Sequence, residues 1–215
     1  MKLKKIASLA LAGIMAVSML AGCGEGTGNN ANPPASSEQT TSNVVSVVKN
    51  AIARENAGLT ITVAENSTLN AAMDKFNANP ANVIVNVLND NIVKVLDAVF
   101  GTTFKTNGNS FAGTTLDGSL NANTLESGDK TWKYAIYTNG KITADACRTM
   151  AANDLASALK DVTNVFDGKG TNNGNTVMNN SYTLYLYEGT VQDASENTVP
   201  YIIAVLKAET NKVGA

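Results

Sequence analysis

Histidine is absent from all 215 residues, and cysteine occurs only at Cys23 and Cys147. The first absence excludes Ser-His-Asp and Cys-His nucleophilic machinery, imidazole general bases and histidine-ligated zinc. The second allows at most one disulfide, so this is no disulfide scaffold. Charge is thin as well: 16% of residues are charged and the formal net charge is −2. Beyond the first five residues no basic run is present to attract nucleic acid or an anionic bilayer. Aromatic residues make up only 6%, with a single tryptophan. What is abundant is asparagine, at 28, with 23 threonines. Asparagine suits turns and caps, because its side chain bonds nearby backbone. Here it is scattered and not in tracts, unlike a prion-like segment.

The amino terminus has its own pattern. Met1 to Lys5 is cationic, and Ile6 to Leu20 is apolar except at Ser8, Gly13 and Ser18. Small residues then lead into Leu20-Ala21-Gly22-Cys23. This is the layout of a secretion signal, and its apolar run falls short of the ~20 residues that a spanning helix needs. The Leu-Ala-Gly-Cys ending resembles the lipobox of bacterial lipoproteins, a likeness confined to residues 1–23. The resemblance implies that Cys23 carries a thioether-linked diacylglycerol and becomes the first mature residue. A further chain on its amine is common in that family, and two or more chains make attachment stable. The implied partner is the membrane, through a lipid anchor, and the implied location is the cell membrane, facing outside the cytoplasm. Cys147 is then left without an intramolecular partner.

Residues 24–42 contain no hydrophobe larger than alanine. Such a stretch cannot offset its ordering entropy by burial and reads as a flexible spacer, with a span of roughly 25 Å. The expected organisation is a signal peptide over 1–22, a lipidated cysteine and spacer over 23–42, and one domain over 43–215. Loss of Lys2, Lys4 and Lys5 with the signal takes the formal charge from −2 to −5.

Within the domain, apolar spacing predicts helices over 44–54, from Ser67 to Phe76, over 82–100 and over 144–166. Alternation predicts strands over 59–63, 132–137, 182–187 and 201–207. Weaker strand signals lie at 102–105, 111–116 and 141–143, the last returning from an Asn139-Gly140 turn. Residues 167–180, rich in Asn and Gly, read as a loop. Strands grouped without regular βαβ alternation indicate an α+β fold: a mainly antiparallel sheet with helices packed on one face.

Candidate sites are few. Cys147 falls on the apolar stripe of its helix, Arg148 points about 100° away, and a buried core thiol is the expected role. The run from Asp167 to Asn175 lacks the acidic spacing of a calcium loop and the Gly-Lys-Ser/Thr of a phosphate loop. No metal, cofactor or catalytic residue is assigned. Glu65, Glu126, Asp129 and Glu188 fall at strand ends or in loops, where two carboxylates meeting could support glycoside hydrolysis. The aromatic strands are more suggestive. Tyr185 and Tyr187 share one strand face, as do Trp132 and Tyr134. On an open side of the sheet they would form a ligand-binding platform for an envelope protein, peptide or glycan; under helices they would be core. The leading expectation is a membrane-anchored, extracytoplasmic, non-catalytic binding domain. The alternatives are a carboxylate-dependent envelope hydrolase and a structural or assembly subunit of an envelope complex. Oligomeric state is not legible.

Overall fold

A computed structural model describes residues 43–78, 88–104, 116–138, 142–169, 175–193 and 197–213. The expected signal and spacer, Cys23, residues 82–87 of the expected 82–100 helix, nearly all of the expected 111–116 strand and the Asn139-Gly140 turn lie outside the described residues. In chain order the elements are α1 (Asn43–Glu55), β1 (Ile61–Ala64), α2 (Ser67–Asn77), α3 (Leu88–Phe100), α4 (Asp117–Leu120) and β2 (Lys130–Thr138). They continue with α5 (Ala144–Leu159), β3 (Val165–Lys169), β4 (Asn175–Gln192) and β5 (Thr198–Lys212).

β4 and β5 form an antiparallel pair from Met178 opposite Lys212 to Gln192 opposite Thr198. β2 runs antiparallel along the other edge of β5. The outer edge of β4 is shared: β3 pairs antiparallel with residues 175–179, and β1 pairs parallel with residues 182–185. The fold is thus α+β with a mainly antiparallel sheet, as the sequence pattern indicates.

The helices, however, divide between both faces of the sheet, where one face was expected. Tyr201 to Leu206 of β5 is buried at every position, which is how a strand covered on both sides reads. Ile202, Ala204 and Leu206 join Leu184 and Leu186 under α1 and α5. Tyr201, Ile203 and Val205 join Tyr134 and Tyr187 under α2 and α3. Each fully buried Leu, Ile or Val contributes roughly 1.5–3 kcal/mol, so neither layer is dispensable.

Other boundaries also differ from the sequence pattern. The helix expected over 144–166 stops at Leu159, where Asn56 Nδ2 donates to the carbonyls of Leu159 and Val162 at 2.8 Å each. Val165 to Lys169 leaves helical phase because it pairs with β4. Gly168 permits this approach: a Cβ there would lie 2.4 Å from Met178 Cγ and 2.8 Å from the Leu125 carbonyl. Residues 175–180, expected as loop, extend β4; Met178 and Asn180 are buried while Val177 and Asn179 are exposed. Thr143 is a cap rather than a strand residue, its Oγ1 accepting from Ala146 N at 3.2 Å. Residues 102–104 form no strand; there Phe104 N donates to Asp97 Oδ1 at 2.6 Å. α2 does open at Ser67, capped by Asn66, whose side chain accepts from Leu69 N at 2.9 Å, and Gly101 ends α3 with φ +61°, a left-handed conformation that glycine adopts freely.

Between β1 and β3 the edge of β4 is completed by a side chain. The Asn164 carboxamide accepts from Thr60 N at 2.7 Å and donates to Thr60 O at 2.9 Å and Asn180 O at 3.0 Å. It acts as a peptide group set sideways into the ladder. We expect Asn164→Ala to lower unfolding free energy by about 2 kcal/mol, the scale of a lost hydrogen-bond cluster whose partners include backbone groups. A urea titration reads this directly, and an unchanged midpoint would show that β1 is held without the amide.

Candidate functional site

The four aromatics singled out from the sequence lie on one face of the sheet. The register places Tyr185 and Tyr134 on either side of Val205, Tyr187 opposite Ile203, and Trp132 opposite Lys207. This is the face that α2 and α3 partly cover. Tyr134 and Tyr187 are buried and belong to the core, whereas Trp132 and Tyr185 are partly exposed. The structure therefore brings the quartet together but leaves only half of it accessible.

Sequence reasoning missed what immobilises these rings. Phe100, at the end of α3, stacks on Tyr185 with centroids 5.6 Å apart and lies 5.1 Å from Trp132. Phe104 meets Trp132 and Tyr134 edge-on at 6.2 and 5.7 Å. Such geometries add to simple area burial. Lys207 Nζ sits 5.6 Å from the centroid of the Trp132 ring and 2.8 Å from Glu209 Oε1. Lys130 approaches the same carboxylate oxygen at 3.4 Å. The hydrogen bond from Lys207 is the main cause that lowers the Glu209 carboxyl below its ordinary range. Phe100 ends an apolar stripe, and only that placement in the pattern could have pointed to it.

The buried tyrosines are wired to α2. Tyr201 Oη donates to Asn77 Oδ1 at 2.8 Å, Asn77 Nδ2 donates to Tyr187 Oη at 2.9 Å, and Tyr187 Oη donates to Asp74 Oδ1 at 3.2 Å. Both rings lie across Gly189, where a Cβ would come within 2.8 Å of Tyr187 Cε1 and 2.9 Å of Tyr201 Cζ. Desolvation is the first cause that raises both phenols; Tyr201 is pushed up to about 12. Burial likewise raises Tyr137, which donates to Asp154 Oδ2 at 2.8 Å. Phenols held neutral in this way serve packing, not proton transfer at neutral pH.

The polar candidates occupy structural bonds. Arg148 grips Glu188 in a two-pronged pair, Nε to Oε2 at 2.8 Å and Nη2 to Oε1 at 2.6 Å, and also pairs with Asp145. Cys147 is buried, as expected, with its Sγ 3.6 Å from the Tyr137 carbonyl, and desolvation raises its thiol. Glu65 accepts from Asn70 Nδ2 at 3.2 Å, Glu126 pairs with Lys169 at 2.6 Å, and Asp129 accepts from Glu126 N at 2.8 Å. Among the described residues no three His, Cys, Asp or Glu side chains converge as a metal site, and no helix is long and apolar enough to cross a membrane.

Comparison with family models, curated proteins and solved structures finds no match.

Two outcomes follow from the tyrosine layer. A phenol whose folded pKa exceeds its unfolded value stabilises fully below the unfolded value near 10, and that stability drains as pH rises. Stability should therefore fall between about pH 10 and 12, and Tyr201→Phe should flatten the fall by about one proton's worth of slope. Chemical denaturation at stepped alkaline pH measures it. Separately, Gly189→Ala should cost about 1–3 kcal/mol by overpacking under the two rings, read as a lowered thermal midpoint.

Proposed function

We propose that the chain is a membrane-anchored extracytoplasmic lipoprotein whose folded part is a non-catalytic binding or interaction domain. The observation that carries this reading is the lipobox-like Leu20-Ala21-Gly22-Cys23 after a cationic start and a short apolar run. Acylated at Cys23, the protein stays on the membrane surface, and residues 24–42 give the domain reach. The site chemistry supports a binding role. The Cys147 thiol is buried and raised, Glu188 is neutralised by Arg148, and Tyr137 and Tyr187 donate to the carboxylates of Asp154 and Asp74. Trp132 and Tyr185, by contrast, are partly exposed and held by Phe100. That combination suits recognition of an envelope component better than bond cleavage.

Intact mass measurement of the protein from a producing bacterium should give a chain beginning at Cys23 with diacylglycerol and acyl mass added. Cys23→Ser should move the protein from the membrane fraction to the soluble or secreted fraction. A bare sulfur on Cys23, or retention of residues 1–22, would defeat the proposal.

A further inference from the structure

The exposed aromatics form one border of a larger feature. Beyond the Tyr185 row, the face of the sheet that carries α2 and α3 emerges from under the described helices. Thr183 lies across from Lys207, which is flanked by Trp132. The next rows pair Ser181 with Glu209 and Asn179 with Asn211, and the last joins Val177 to Val213 through a 3.0 Å backbone hydrogen bond. Ser181, Asn179 and Asn211 are exposed, and Val177 and Val213 are 47% and 49% exposed.

Three observations narrow the occupant. The first is charge: Lys207 and Lys130 both meet Glu209, and exposed Asp167 shares this face opposite Val177, so two cations stand against two carboxylates and the face offers little net charge to nucleic acid or an anionic polymer. The second is size. Four rows across three strands cover about 400 Å², roughly half of the ~800 Å² per partner that a stable protein interface needs. The third is position. α1 and α5 run side by side, their carboxyl ends joined by the Asn56 bonds to Leu159 and Val162. α5 begins near Pro200, towards which Cys147 points, and ends near Tyr182, whose Oη donates to Thr163 O at 2.8 Å. The described chain thus enters at Asn43 beside the opposite end of the sheet, on the opposite face, so its lead-in at α1 does not obstruct these rows.

We propose that this open half-face is a binding site for a neutral saccharide chain. Sugars pair apolar C–H faces with hydroxyls that both donate and accept. The rows supply the matching set: hydroxyl and amide groups on Thr183, Ser181, Asn179 and Asn211, bordered by an indole at one end and valines at the other. The proposal rests on the extracytoplasmic binding reading and gives it a ligand class.

Trp132 is the only tryptophan in the chain, so its emission reports on this face. The lipidated full-length mature protein, in a non-glycosidic detergent, is titrated with defined cello-, chito- and malto-oligosaccharides. We expect a saturable change in emission with at least one series. Thr183→Val with Asn211→Ala should weaken it about tenfold or more, while Tyr187→Phe, beneath the helices, should leave it unchanged. Three results would overturn the proposal: no response from folded protein to any series, an equal response in the Thr183/Asn211 variant, or emission that follows protein concentration alone, as in self-association. The mass at Cys23, measured on the same preparation, tests the anchoring reading separately.

Discussion

The pairing of β4 with β5 is the constraint on which the remaining structure depends. Their register is continuous from Met178 opposite Lys212 to Gln192 opposite Thr198. Strands of that length outrun any helix packed on them, since a residue advances about 3.3 Å in a strand and 1.5 Å in a helix. Helices therefore cover part of each face, and the remaining rows stay open. The same length lets two short strands, β3 and β1, share one edge of β4 in opposite directions.

Asparagine is the means by which these short pieces are joined. Asn56 closes the end of α5, and Asn164 bridges β1 to β4. Asn121 exchanges paired bonds with Thr163, donating to its carbonyl at 2.8 Å and accepting from its amide at 3.1 Å. Buried Asn180 takes a bond from Thr210 Oγ1 at 2.7 Å and donates to Tyr182 Oη at 3.0 Å. A carboxamide carries the donor and acceptor of a peptide unit on a movable stem. It can therefore complete a ladder where the backbone cannot arrive in register. Part of the unusual composition thus has a structural cause.

Much of this was legible in the sequence. The apolar stripes of α1, α2 and the start of α5, the α+β class and the shared face of Tyr185 with Tyr187 all follow from period alone. Period does not reveal which helix crosses which face, because that depends on contacts distant in sequence. Thus Tyr134 and Tyr187 became core while Trp132 and Tyr185 stayed partly open. Nor could it show that Val162 and Phe166, in helical phase with α5, fall beyond a side-chain cap and in a strand. Tyr201, the partner of Tyr187 across Gly189, read only as the first residue of a strand.

The Asn164 junction has a consequence for how the molecule ages. Peptide groups in a ladder are chemically durable, but a side-chain carboxamide can lose ammonia. The resulting carboxylate would keep the acceptor for Thr60 N and abolish both donors. It would also set a negative charge against the Thr60 and Asn180 carbonyls, now 2.9 and 3.0 Å from the nitrogen. An unpaired charge of that kind is costly wherever water is restricted. The parallel edge of the sheet thus relies at Asn164 on a group less durable than the backbone ladder beside it, and loss of that amide would loosen the start of β1 from β4.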